Sequence, residues 1–179
     1  LELSHQVLRA MGFDFDSGRL DRSLHPFTGG ANHPNDVRLT TRIFPENPLS
    51  GLMSTIHEGG HGLYEQGLPA RWARTFLGQA PSLGLHESQS RFWENLVGRS
   101  LPFWRFCTPL MQQLFEPLRA TGAEALHAWA NRVEPSLIRV EADEVTYNLH
   151  VLLRFELELE LLRGNLQPAD LPAAWNERM

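Results

Sequence analysis

The sequence predicts a mostly helical fold with one small β element near residues 25–44, and three observations carry that expectation. Several stretches place apolar residues at three- and four-residue spacing. Capping residues stand before some of them, and glycine or proline after them. A single segment, Asp36 to Phe44, alternates polar and apolar residues and is rich in β-branched side chains, as a half-buried strand is.

In chain order, Leu3 to Met11 reads as a helix stopped by Gly12. With no capping residue ahead of it, it reads as the tail of a longer helix. Phe13 to Asn35 holds Asp14, Asp16, Gly18, Pro26, Gly29, Gly30, Asn32, Pro34 and Asn35, a density of turn formers expected of a loop or irregular hairpin. After the strand, Asn47 offers an N-cap and Pro48 a first-turn proline for a helix running through Gln66 to Gly67-Leu68-Pro69. Leu49, Leu52, Met53, Ile56 and Leu63 keep that helix in register. Further helices are expected from about Gly84 to Ser100, around Phe103 to Leu118, and after the capping box Thr121-Gly122-Ala123-Glu124. The longest is expected from Ser136 to about Arg163, on Ile138, Val145, Leu149, Leu152, Leu153, Leu157 and Leu161. No repeat or linker interrupts the chain, so residues 1–179 read as one unit.

A chain of 179 residues buries roughly 70% of its unfolded surface, so no metal is needed merely to hold a core together. A metal site would therefore point to function. All 16 basic residues are arginine, which excludes Schiff-base lysine chemistry and the phosphate-loop lysine. The one cysteine, Cys107, excludes an intrachain disulfide and any zinc site built on two thiolates. With a net charge of −5 and arginines scattered along the chain, no basic stripe exists for nucleic acid. No run of 18 apolar residues occurs, and Leu1-Glu2-Leu3-Ser4-His5 lacks a signal-peptide layout. A cytoplasmic protein with no membrane partner is expected.

The chemistry concentrates at His57-Glu58-Gly59-Gly60-His61. On a helix, residues four apart lie one turn apart on nearly the same face, so two imidazoles can share one ion. Glu58 falls beside that ion, placed to take a proton from water. Two adjacent glycines inside a helix cost about 1 kcal/mol each relative to alanine, so another part of the chain is expected to approach that backbone closely. The plainer alternative is an amphipathic helix with two unremarkable histidines. A zinc hydrolase needs a third protein ligand, and His86-Glu87-Ser88-Gln89 offers both Glu87 and His86. Spacing alone does not choose between them.

His25-Pro26-Phe27, Asp36-Val37-Arg38-Leu39-Thr40, the His57–His61 motif, His86-Glu87-Ser88-Gln89 and Ile138-Arg139-Val140-Glu141-Ala142-Asp143, in that order, resemble the M32 family of metallocarboxypeptidases. The resemblance runs from about Gly12 to the end of the chain. It implies a helical, neurolysin-like zincin fold, one catalytic zinc (with cobalt or another divalent ion as the alternative), removal of single residues from peptide C-termini, and a homodimer. It also implies His57, His61 and Glu87 as zinc ligands and Glu58 as general base. Family members are about 500 residues long, so the chain reads as the zinc-binding core of a longer enzyme, with little or no activity expected of it alone. The family's later G-x-x-Q-D-x-H-W motif is missing.

For the oxyanion the long helix offers Tyr147 and His150 at i and i+3, with Asp143 and Arg139 one and two turns earlier. For the free carboxylate of a peptide C-terminus, Arg139 is the first choice and Arg38 the second, because guanidinium binds carboxylate with two parallel hydrogen bonds. Arg38 has an alternative use in an ion pair with Asp36. His25-Pro26-Phe27 is expected to form active-site wall, and Trp72, Trp93, Trp104 and Trp129 are expected in the core. Two rival functions remain: a gluzincin endopeptidase or oligopeptidase, which needs no carboxylate clamp, and an inactive helical module that keeps the metal site.

Overall fold

The computed structural model describes residues 1–30, 33–44 and 47–179, residue 141 by its backbone alone. Part of the predicted loop, including Asn32, lies outside the described residues. The chain divides into two compact units, residues 1–130 and residues 131–179.

In the first unit, helix α1 (Glu2–Met11) ends at Gly12, whose φ of 99° gives the left-handed turn that glycine adopts without strain. The following stretch is not the expected loop or hairpin. It contains strands β1 (Gly18–Arg22) and β2 (Phe27–Gly30), which flank β3 (Val37–Thr41) in the order β1-β3-β2. β1 runs parallel to β3 and β2 antiparallel to it, so the β element starts well before residue 25. Neither Gly-Arg-Leu-Asp-Arg nor Phe-Thr-Gly-Gly has strand propensity of its own; β3, with Val37 and Leu39 buried, supplies the template.

Helix α2 (Pro48–Gln66) has the expected ends: the Asn47 side chain accepts from Ser50 N, and Pro48 stands at the start. The predicted Gly84–Ser100 helix is instead α3 (Leu83–Arg91) followed by a π turn over Phe92–Val97. Ser100 does not end it but caps the next helix, α4 (Leu101–Leu114), through Phe103 N. α5 (Ala123–Ala130) closes the unit. Leu52, Met53 and Ile56 of α2 pack with Val7, Trp104, Met111 and Leu126 in the larger core cluster. Cys107 lies in that core, where burial pushes its thiol up to about 12. Of the tryptophans, Trp104 is fully buried and Trp93 packs on the core, but Trp72 and Trp129 are about 40% exposed.

In the second unit the long helix starts ten residues later than expected, as α6 (Thr146–Leu162), followed by α7 (Leu171–Arg178). Asp143 is the reason. Its carboxylate accepts from the backbone N–H groups of Val145 and Thr146, the Thr146 hydroxyl and Glu134 N. It thereby satisfies orphan donors at the helix start and turns the preceding chain away from helix. Arg139 consequently sits in a short 3₁₀ turn, not on the face of α6.

Burial alone would raise the Asp143 pKa, but these donors together hold the carboxyl at about 2. A depressed carboxyl stabilises the fold fully above its unfolded value near 3.8, and that contribution fades as pH falls toward 2. Asp143→Ala should cost about 1–2 kcal/mol in denaturant unfolding at pH 7. The cost should shrink in the same measurement below pH 3.

Candidate metal centre

The apolar positions of α2 face the core, and this orients His57 and His61 to one side, one turn apart, with ring centroids 5.0 Å apart. The glycines of the motif explain how the third group arrives. A Cβ on Gly60 would stand 2.6 Å from Ser90 Cα and 2.8 Å from Gln89 O, so α3 packs backbone to backbone against α2. On Gly59 it would run into Leu8 Cδ2 of α1. The expected close approach is present at both positions. Because α3 lies against Gly60, Glu87 on its second turn reaches the two imidazoles: Glu87 Oε2 stands 3.1 Å from His61 Nε2 and 3.8 Å from His57 Nε2. One potential ligand atom from each of the three residues lies within 4.8 Å of the others.

His86, the rival on spacing, meets the other side of His61, with the two Nδ1 atoms 2.6 Å apart. Its Nε2 lies 2.6 Å from Glu65 Oε1. The Nδ1 of His57 donates to Glu94 Oε2 at 2.9 Å, and Glu94 also accepts from Arg91 Nη1 at 2.7 Å. Burial pushes the Glu94 carboxyl up, but His57 and Arg91 outweigh it and hold Glu94 below the usual carboxylate value. Burial likewise disfavours charge on His57, yet the hydrogen bond to Glu94 and the nearby carboxylates carry its pKa above the ordinary imidazole value.

Glu58, 8% exposed, stands outside the His–His–Glu group and is held by strand β2: Thr28 Oγ1 donates to Glu58 Oε2 at 2.5 Å. Thr28 directly follows His25-Pro26-Phe27, and Phe27, Thr28, Glu65 and His86 line a cleft of about 400 Å³. Sequence reading did not single out Thr28, Glu65 or Glu94. Glu65 is one turn beyond His61 and Glu94 two turns beyond Glu87, spacings that mark a shared helix face. Thr28 gave no such signal.

Arg38 makes the ion pair with Asp36, Nε to Oδ1 at 2.8 Å and Nη2 to Oδ2 at 3.1 Å. In the second unit, Arg139 Nη1 donates to Tyr147 Oη at 2.6 Å, and His150 Nε2 donates to Ser136 O at 2.7 Å. The buried His150 Nδ1 has no hydrogen-bond partner among the described residues.

Residues 1–179 match the carboxypeptidase Taq (M32) metallopeptidase family. The chain belongs to it. Thermostable carboxypeptidase 1 of Thermus thermophilus is 55% identical over 173 residues, covering 97% of this M32 chain and 34% of its own length. Carboxypeptidase 1 of Bacillus subtilis is 40% identical over 181 residues, covering 99% and 35%. The crystal structure of the M32 carboxypeptidase from Deinococcus radiodurans R1 superposes with a TM-score of 0.94 at 47% identity, over 99% of this chain and 36% of that one. The chain thus spans about a third of the length of these M32 relatives. No described helix is long and apolar enough to cross a membrane.

Proposed function

We propose that this chain carries the catalytic core of a zinc-dependent carboxypeptidase that releases single residues from peptide C-termini. The observation that supports this most is the meeting of His57, His61 and Glu87 next to a buried carboxylate, Glu58, that stands outside the set. Two imidazoles and a carboxylate suit tetrahedral zinc with one position left open. For ligand bonds of about 2.05 Å, ligand atoms stand about 3.3 Å apart, and the two distances from Glu87 Oε2, 3.1 and 3.8 Å, bracket that value. Both imidazoles engage other partners through Nδ1, which leaves Nε2 for the ion. Zinc bound there would polarise the scissile carbonyl and acidify a water molecule; cobalt or another divalent ion is the alternative cofactor.

The remaining steps fall to the chain's own groups. Glu58 takes a proton from the attacking water and delivers it to the leaving amine nitrogen, and Thr28 holds its carboxylate in one orientation. Arg139 is proposed to bind the substrate carboxylate, with Arg38 second because Asp36 already occupies it. Tyr147 and His150 are proposed to act on the oxyanion. Tyr147 is the better donor, since His150 commits its Nε2–H to Ser136 O. We place residues 1–179 as the zinc core of a longer, neurolysin-like, homodimeric and cytoplasmic enzyme acting on peptide C-termini, without nucleic-acid or membrane partners.

Metal analysis combined with digestion of paired peptides tests the reading. Residues 1–179 alone should show little or no activity; with the longer enzyme, peptides with a free C-terminus should lose single residues and C-terminally amidated ones should resist. Internal cleavage of both would make the protein an endopeptidase. In the longer enzyme, Arg139→Ala should raise the Michaelis constant and lower kcat/KM on free C-termini by about tenfold to a hundredfold, the worth of a charge-assisted bidentate contact. Amidated peptides should respond little. Equal damage to both would make Arg139 structural.

A further inference from the structure

We infer that His86 is a positioning residue for the metal, fixing the tautomer and orientation of His61 through a Glu65–His86–His61 hydrogen-bonded row. The inference rests on the reading of His61 as a ligand, and its argument is a proton count. Two ring nitrogens 2.6 Å apart, His61 Nδ1 and His86 Nδ1, need one proton between them. A ligand must present Nε2 without a proton, so the neutral His61 ring carries its proton on Nδ1 and is the donor. His86 therefore accepts at Nδ1 and keeps its own proton on Nε2. That nitrogen faces Glu65 Oε1 at 2.6 Å, an acceptor. Each group in the row then has one assignment, and the assignment frees His61 Nε2 on the side of Glu87 Oε2.

The packing is that of a held side chain. The His86 ring is 17% exposed and the Glu65 side chain 30%. His86 lies against His61 with centroids 4.7 Å apart and edge-on to Tyr64 at 4.9 Å. Glu65 and Tyr64 come from α2, like His61, whereas His86 comes from α3. The row therefore joins the two ligand-bearing helices on the far side of His61, while Glu94 serves His57 separately. It also gives both residues of His86-Glu87 a task on the same imidazole, one at each nitrogen.

The test is zinc affinity, read by competition with a chromogenic chelator at one fixed pH, for the protein and for His86→Leu, His86→Asn, His61→Ala and Glu87→Ala. Loss of an outer-shell partner typically weakens metal binding about tenfold to a hundredfold, and His86→Leu should fall in that range. His86→Asn should stay within about threefold of the parent, because Asn Oδ1 can occupy the place of Nδ1 and accept from His61. His61→Ala and Glu87→Ala should lose far more than either. Unweakened binding in His86→Leu, with His61→Ala impaired, would overturn the positioning role and leave the ligand reading standing. Equal loss in Leu and Asn would make the role one of packing. Unimpaired His61→Ala would sink the ligand reading itself, and unimpaired Glu87→Ala with His86→Leu abolished would make His86 the ligand. Nitrogen-15 NMR of the zinc-loaded, histidine-labelled protein needs no substitution: it should find His86 protonated on Nε2 and His61 on Nδ1, and the reverse would refute the row.

Discussion

In the longer enzyme proposed above, Glu58→Gln is expected to bind zinc as the unaltered enzyme does and to hydrolyse peptides with a free C-terminus about 10²–10⁴-fold more slowly, the usual worth of a positioned general base. The amide has the shape of the carboxylate, and its oxygen still accepts from Thr28 Oγ1, so the buried site keeps its packing. What is lost is the capacity to take a proton from water and return it to the leaving nitrogen. Metal content by emission spectrometry and kcat on a free-C-terminal peptide separate the two properties. Loss of zinc would make Glu58 a ligand or a support for one. Unchanged turnover would move the base elsewhere.

Gly60→Ala is expected to damage both stability and metal binding, although alanine is the better helix former by about 1 kcal/mol. The added methyl would meet Ser90 Cα and Gln89 O, both backbone, at 2.6 and 2.8 Å. No side-chain rotation relieves that contact, so α3 must move off α2 and take Glu87 with it. Overpacking of this kind typically costs about 1–3 kcal/mol, and zinc affinity should fall by at least about tenfold, since the third ligand is withdrawn. Gly59→Ala is the matched control. Its methyl would meet the flexible ends of Leu8 and Met11, which can yield, so zinc affinity should hold. Chemical denaturation and chelator competition on the two variants provide the comparison, and equal effects on zinc would contradict the account of Gly60.

What could be read from the chain alone follows from how locally each feature is encoded. α2 was legible to the residue because Asn47, Pro48 and Gly67 are local signals. The His57–His61 pair was legible because four-residue spacing on a helix is geometry, and the glycine pair told of a close approach without naming its partner. β1 and β2 were not legible, since they are strands by virtue of β3 and not of their own residues. The start of α6 was misplaced because the apolar spacing of 138–145 continues the helical pattern, while one side chain, Asp143, captures the backbone donors that would have extended it. At the site, the approach of Glu87 to His57 and His61 depends on the packing of α3 against α2, which no spacing encodes. The placement of Thr28 against Glu58 depended on the sheet.

The stretch between α2 and α3 carries a further consequence. Residues 67–82 form only two short 3₁₀ turns, neither with a buried residue, and Phe76 is 93% exposed. Yet His61 and Glu87, 26 positions apart, stand at its two ends. An ion held by both would tie these two helices together, and because it binds the folded site and not the opened one it would stabilise the closed arrangement by mass action, about 2.7 kcal/mol at a free-metal concentration one hundred times its dissociation constant. A protein with one cysteine has no covalent means of pinning such a loop. An ion bound there for the proposed chemistry would also serve as a clasp, so that its loss would be felt first as local unfolding between the two helices.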